Sequence, residues 1–82
     1  MAEAVKRGRI MTPAQCRAAR ALLNWTQMRL AQHARVVRMT VTMFESGGTV
    51  RASTRRRIQA ACEEAGVEFI WSEADGGEGV MR

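Results

Sequence analysis

The side chains with the clearest chemical potential in this sequence are one arginine, one threonine and two methionines between positions 38 and 43. In a helix the two methionines would face largely away from Val41 and Phe44, which define the inner side. Arginine can donate two hydrogen bonds to a guanine edge, and apolar side chains can pack on thymine methyl groups. Core packing of the methionines is the alternative. The second helix of a helix-turn-helix presents its early residues to base edges in the major groove. For that arrangement, we expect contacts to DNA bases from Arg38, Met39, Thr42 and Met43.

Charge is distributed unevenly along the 82 residues, whose net charge is +5. From Val5 to Arg57 twelve Lys or Arg residues face a single acid, Glu45, which gives +11. From Ile58 onwards one base faces six acids, which gives −5, and Glu3 completes the sum. The positive charges of so basic a segment repel one another in the absence of a partner. The contrast with the acidic tail favours nucleic acid as the partner of the basic segment. A solvated basic surface is the alternative.

The sequence offers no set of residues suited to catalysis. His33 is the only histidine and most acids lie near the C-terminus, so neither a nucleophilic triad nor a carboxylate pair can be assembled. Cys16 and Cys62 are too few for a zinc site, and their spacing predicts buried free thiols, which fit a reducing cytosol. No apolar run has transmembrane length, and the N-terminus lacks a signal-peptide stretch. We therefore expect a cytoplasmic protein with no enzyme activity, cofactor, metal or membrane.

Four helices are predicted to position the side chains named above. Thr12, Pro13 and Gln15 begin the first with a capping box and a proline at the first helical position. It should end near Leu23, with Cys16, Ala19, Leu22 and Leu23 inward. The fourth should start with Ser53 or Thr54 as its cap and end before Gly66, with Arg55, Arg56 and Arg57 crowding its first turn.

The second and third helices are predicted over 27–34 and 38–45. Thr26 can cap the second, and Gly47 can supply the left-handed residue that ends the third. Ala31 has almost no side chain, so a neighbouring helix can cross closely there. The apolar positions keep helical spacing on both sides of a break at 35–37, which indicates two short helices joined by a tight turn.

Residues 26–47 resemble the DNA-binding motif of the XRE family, the phage-repressor and Cro-like regulators of bacteria and phages. Two positions depart from the family pattern: Arg35 stands where glycine is usual, and Val37 stands where a Ser or Thr cap is usual. The resemblance covers roughly residues 12–65. The matching positions are Gln27, the Leu30-Ala31 pair, Val36, Thr40-Val41, Phe44, Glu45 and Gly47.

The resemblance implies an all-α fold: a compact four- to five-helix repressor-like helix-turn-helix domain, here with a short C-terminal β-strand or hairpin. It implies a homodimeric transcriptional repressor that places helix 38–45 in the major groove of an inverted-repeat operator. It also implies a salt bridge between Arg20 and Glu45, and a positive φ angle at Arg35. Gln27 matches a phosphate-binding position, and the full set of phosphate candidates is Thr26, Gln27, Arg35, Ser46, Arg51 and Arg55.

The last segment, residues 67–82, is predicted to form a strand or hairpin and the dimer interface. Residues 67–71 alternate like a strand, 76–79 are turn-like, and 80–82 can return as a second strand. With alternate residues turned inward, the free strand edge can pair with a second copy. Dimerisation through the fourth helix is the alternative. The expected interface residues are Phe69, Ile70 and Trp71.

The chain is therefore divided into a flexible basic arm at 1–11, a DNA-binding domain at 12–66 and a dimerisation segment at 67–82. The arm can reach DNA phosphates or a minor groove. Binding of a partner protein is an alternative function of a different class. The acidic tail could capture a partner protein, as in an antitoxin, and a partner lost on deletion of the tail would favour that function.

Overall fold

The computed structural model describes residues 10–71 and 78–82. Within them, four helices precede a two-stranded antiparallel sheet, so the fold is mostly helical, as predicted. The returning strand is present but starts earlier than predicted, because Glu78 and Gly79, expected in the turn at 76–79, belong to it, while 76–77 lie outside the described residues. The elements are α1 (Pro13–Leu23), α2 (Gln27–Ala34), α3 (Arg38–Glu45), α4 (Ala52–Glu64), β1 (Glu68–Trp71) and β2 (Glu78–Met81).

The N-terminus of α1 is fixed by the predicted capping box and by one buried side chain. Thr12 Oγ1 accepts from the Gln15 backbone N–H at 3.1 Å, and Gln15 Oε1 accepts from the Thr12 N–H at 2.9 Å. Gln15 Nε2 donates to the carbonyls of Ile70 and Gly79, both at 3.1 Å. Gln15 is 2% exposed, so a single amide joins α1 to both strands of the sheet.

A three-residue turn joins α2 to α3. Thr26 caps α2, as predicted, by accepting from the Arg29 N–H at 3.0 Å. Arg35 ends α2 with a φ angle of 61°, in the left-handed region that the sequence predicted for this position. Val37 precedes α3 and makes no side-chain capping hydrogen bond. The chain therefore reverses between the two helices without the glycine and the cap that usually support such a turn.

Two glycines terminate α3. Gly47 has a φ angle of 93°, its N–H donates to the Phe44 carbonyl, and the Gly48 N–H donates to the Met43 carbonyl at 2.8 Å. These two bonds form the Schellman arrangement, in which a left-handed residue satisfies the last carbonyls of a helix. A Cβ atom on Gly48 would lie 2.7 Å from Met43 Cγ, so the close approach requires glycine there.

The start of α4 differs from the prediction. Its N-cap is Arg51, whose backbone is extended, and α4 begins at Ala52 without a side-chain cap. Ser53 and Thr54 are therefore inside the helix and cannot cap it, because a cap residue needs a non-helical backbone. Arg55–Arg57 follow the first turn instead of crowding it, which weakens their opposition to the helix dipole.

The core lies between the four helices and the inner face of the sheet. Its largest fully buried side chains are Cys16, Leu30, Val41, Ile58 and Cys62, and both cysteines are free thiols, as predicted. Val67 and Phe69 close it from the side of β1.

Two predictions about the core are wrong. Leu22 was expected inward but is 40% exposed, because the buried stripe of α1 passes through Cys16, Ala19 and Leu23 and leaves Leu22 beside it. Met11 was assigned to the flexible arm but is 2% exposed, and its N–H donates to Gln59 Oε1 at 3.0 Å. The rest of the predicted arm, residues 1–9, lies outside the described residues.

Candidate nucleic-acid interface

Helix α3 has an apolar inner side and an exposed outer side. Val41 and Phe44 are 0% and 3% exposed, so they hold the helix against the core. Met39 and Met43 are 69% and 45% exposed, which excludes their core-packing alternative. Arg38 is also exposed. The outer side of α3 thus combines one guanidinium group with two apolar side chains on the surface.

Thr42 and Gln27 have a role that the sequence did not predict. Thr42 Oγ1 donates to Gln27 Oε1 at 2.7 Å, and Gln27 Nε2 donates to Glu45 Oε1 at 3.0 Å. Both residues are partly buried. The start of α2 packs against α3, so these polar atoms are satisfied inside the protein. These bonds place both residues in the joint between the two helices. A base contact from Thr42 and a phosphate contact from Gln27 stay predictions.

The carboxylate of Glu45, 5% exposed, is the centre of this joint. Arg20 donates to it through Nε at 2.7 Å and Nη2 at 2.8 Å, which is the predicted salt bridge in bidentate form. Cys16 Sγ donates to the same carboxylate at 3.1 Å. Burial alone would raise the pKa of Glu45, but the hydrogen bonds from Arg20, Gln27 and Cys16 outweigh it and hold that pKa below its ordinary value.

The thiol of Cys16 is a donor that the sequence analysis missed. Burial, followed by its hydrogen bond to Glu45, raises the pKa of Cys16, so the thiol keeps its proton and can donate. Arg17 was also missed: its Nη1 donates to the backbone carbonyl of Glu45 at 2.6 Å, where a cation is favourable at the C-terminus of α3. Arg17 and Arg20 are three residues apart on α1, and that spacing is the signal that could have revealed a shared target.

The remaining phosphate candidates lie at the ends of helices. Thr26 and Arg51 are the N-caps of α2 and α4, whose first backbone N–H groups have no helical partner. Ser46 follows α3 and donates through Oγ to the Thr42 carbonyl at 2.9 Å. Arg55, one turn into α4, is partly buried, and its Nε has no hydrogen-bond partner among the described residues. Arg35 is exposed at the end of α2.

The predicted dimer residues divide into two groups. Phe69 is 3% exposed within the protomer and stacks at an angle against Trp71, with ring centroids 6.2 Å apart. Phe69 is therefore a core residue, and its assignment to a dimer interface is wrong because alternation along β1 turns it toward the helices. Ile70 and Trp71 are partly exposed. They lie on β1, which pairs with β2 in the register Ile70 to Gly79 and Trp71 to Glu78.

The remaining sequence predictions concern the histidine, metal ions and the membrane. His33 is exposed, as predicted, and stacks on Trp25 with ring centroids 4.3 Å apart. Among residues 10–71 and 78–82, no cluster of His, Cys, Asp or Glu could hold a metal ion, and no helix has the length and apolarity of a membrane span. No protein-family model matches the chain, and no curated protein matches its sequence.

Proposed function

We propose that this protein is a sequence-specific double-stranded DNA-binding regulator of transcription, with α3 in the major groove. The observation that carries the proposal is the outer side of α3. It presents Arg38 beside two exposed methionines, Met39 and Met43, whose apolar surface is better buried against a partner than left in water. A base-pair edge offers what these groups lack, because guanine accepts two hydrogen bonds from arginine and thymine carries a methyl group.

The joint between α2 and α3 supports this proposal. Two helices fixed to each other through a tight turn form the helix-turn-helix arrangement, in which the second helix reads bases and the first crosses the DNA backbone. Here Gln27, Thr42 and Glu45 link the two helices by hydrogen bonds. A reading helix held this firmly presents Arg38 in a defined direction, which base recognition requires. The repressor-like character of the domain is part of the same proposal.

Phosphate contacts are the second part of the proposal. The basic segment 5–57 supplies the positive charge. Thr26, Ser46 and Arg51 lie at the ends of α2, α3 and α4, and Arg55 lies one turn into α4. Contacts from such positions fix the register of a protein on DNA without reading sequence. Binding should therefore weaken steeply as salt is added, because each neutralised phosphate releases counterions.

A homodimeric repressor is the assembly that we propose. Ile70 on β1 and Met81 on β2 leave apolar surface on the hairpin, and Met81 is 50% exposed. Pairing of two hairpins would bury that surface and relate two α3 helices by a twofold axis. Such a dimer reads an inverted repeat whose half-sites are about 34 Å apart. The two free thiols fit a reducing compartment, such as the cytoplasm.

The experiment that tests this proposal is selection of duplexes from a random pool by the purified protein. We expect enrichment of one inverted repeat, and a dissociation constant for it that is at least about a thousandfold lower than for a scrambled duplex at physiological salt. Equal affinity for both duplexes would reduce the function to non-specific binding, and no affinity for either would end the proposal.

A further inference from the structure

A cleft of about 440 Å³ lies between the end of α2 and the adjacent side of α4. Ala34 and Ala61 line it and are buried, and Ala60 lines it from the exposed side of α4. The small side chains of these alanines leave the space open and supply its apolar part, whereas His33, Arg35, Arg57 and Glu64 make most of its surface polar. Its volume falls within the range of small-molecule sites, which is about 300–1,000 Å³.

The charged residues of this cleft are unevenly placed. Arg57 Nη1 donates to the Arg35 backbone carbonyl at 3.3 Å, which holds the Arg57 guanidinium beside the position of Arg35. Glu64 lines the cleft two helical turns further along α4, about 10 Å from Arg57 by helix geometry. Among the described residues none forms an ion pair with Arg35, Arg57 or Glu64. One end of the cleft is therefore cationic, and the other carries a single negative charge.

We propose that this cleft binds a small monocarboxylic acid with a compact apolar body, its carboxylate held by Arg35 and Arg57. Guanidinium groups suit a carboxylate because their N–H donors match its two oxygens. The apolar body contacts Ala60 and Ala61, where longer side chains would fill the space. Glu64 disfavours a second carboxylate at the far end, so the site selects a monoanion.

A ligand in this cleft would act on DNA binding through Arg35, and this consequence rests on the proposed function. Arg35 ends α2 directly before the turn to α3, and it is one of the predicted phosphate contacts. A carboxylate bound to its guanidinium cancels the charge that a phosphate would use. The expected effect is a lower affinity for DNA in the presence of the acid. Binding of the acid itself does not depend on DNA recognition.

Nuclear magnetic resonance titration of the full chain with benzoate tests the site directly. Benzamide is the matched neutral probe, and phthalate carries a second carboxylate. We expect saturable shifts of the Ala34, Ala60 and Ala61 amide signals with benzoate in the millimolar range, and binding about tenfold weaker for both other probes. Equal binding of benzamide would overturn the role of the arginines, and absence of saturable shifts up to about 50 mM benzoate would overturn the site.

Two variants separate the cleft from general surface charge. Arg57→Gln should weaken benzoate binding about tenfold, whereas Arg56→Gln, which makes the same charge change on an exposed neighbour outside the cleft, should not. Ala60→Leu should weaken binding by occupying the part of the space that the apolar body would use. Circular dichroism shows whether each variant is folded. Unchanged binding in Arg57→Gln would contradict the proposal.

Titration of a protein–DNA complex with benzoate tests the regulatory step separately. A loss of DNA affinity in the unmodified protein, but not in Arg57→Gln, would support it. Binding of benzoate with no effect on DNA affinity would overturn the regulatory step alone. Because the titration without DNA needs no operator, failure of the proposed function would leave the result for the cleft unaffected.

Discussion

The carboxylate of Glu45 accepts hydrogen bonds from side chains of two helices, Cys16 and Arg20 on α1 and Gln27 on α2. Removing one donor leaves a charge that is largely withdrawn from water, and this costs more than the loss of a surface contact. The orientation of α3 therefore depends on this acid as well as on the core packing of Val41 and Phe44, and the donors around the acid add to how firmly α3 is held.

Arg20→Ala should lower the free energy of unfolding by about 2–4 kcal/mol, because Glu45 stays buried after its strongest partner is lost. Arg29→Ala is the matched control, since Arg29 is exposed and its side chain makes no contact of this kind within the described residues. Urea unfolding followed by circular dichroism measures both. A double-mutant cycle with Glu45→Gln should show coupling, and simple additivity of the two changes would contradict the pairing.

Acid should remove the contribution of Glu45 to stability. Its folded-state pKa lies below the ordinary value of 4.5, so the folded state favours the ionised form. The contribution is complete above pH 4.5 and is lost as the pH falls through the lower folded-state pKa. Thermal unfolding from pH 7 downwards should show a decline in this window that is smaller in Glu45→Gln. The same decline in both proteins would assign the acid sensitivity to other groups.

Arg35→Gly tests the strained residue between α2 and α3. A residue with a Cβ atom at a φ angle of 61° costs about 1 kcal/mol relative to glycine, which roughly balances the extra chain entropy of glycine in the unfolded state. We expect an unchanged or slightly higher melting temperature together with weaker binding to DNA. A clear drop in melting temperature would show that the arginine side chain stabilises this turn.

At the scale of elements, the caps made the first three helices predictable and also explain the error at the fourth. Thr12 and Thr26 each accept a hydrogen bond from a backbone N–H in the first turn of the helix that follows, and Gly47 has a left-handed backbone. Local chemistry at these residues therefore fixes the helix ends. Helix α4 instead starts after Arg51 with no side-chain signal. Only its packing against the other helices sets this start, and sequence patterns do not report packing.

The side-chain partners within the joint were not predictable for the same reason. Gln27 and Thr42 are polar and lie on the two helices of the predicted helix-turn-helix, where DNA contacts are also expected. Their hydrogen bond depends on the distance between α2 and α3 after folding. Phe69 was misassigned although alternation along β1 already turned it inward, whereas the link from Gln15 to the sheet carries no local signal.

Gln15→Leu tests the link between α1 and the sheet. It leaves the Thr12 N–H without its partner and removes the amide from the Ile70 and Gly79 carbonyls. We expect a loss of about 1–3 kcal/mol in stability and faster amide hydrogen exchange in β1 and β2. Gln32→Leu on the exposed side of α2 is the control. Unchanged exchange in the strands would show that other contacts hold the sheet in place.

At the scale of the whole molecule, the charge separates into a basic region and an acidic region, which match the regions proposed for DNA binding and for dimerisation. The basic segment contains the reading helix, whereas Glu63, Glu64 and Glu68 lie on the end of α4 and on β1. DNA would repel the acidic region, so a dimer axis there would leave both copies of α3 accessible. Under the proposed function, dimerisation and base reading would therefore use different parts of the same small chain.

Ile70→Lys should dissociate the proposed dimer and leave the protomer folded, because Ile70 is only partly buried within it. Deleting the hairpin would be a poorer test, since Val67 and Phe69 belong to the core. Light scattering at tens of micromolar measures the mass, and circular dichroism the fold. Met28→Lys, at an exposed methionine of α2, is the control. A dimeric and folded Ile70→Lys protein would move the interface to α4.

Base reading by α3 is tested most directly by the affinity of Arg38→Ala for a selected duplex and for its scrambled counterpart, measured by fluorescence anisotropy at two salt concentrations. The account predicts a loss of about 1–3 kcal/mol on the selected duplex and a much smaller loss on the scrambled one. Arg51→Ala, which removes a proposed phosphate contact, should instead weaken both alike and reduce the salt dependence. Equal losses on the two duplexes for Arg38→Ala would contradict base reading by this helix.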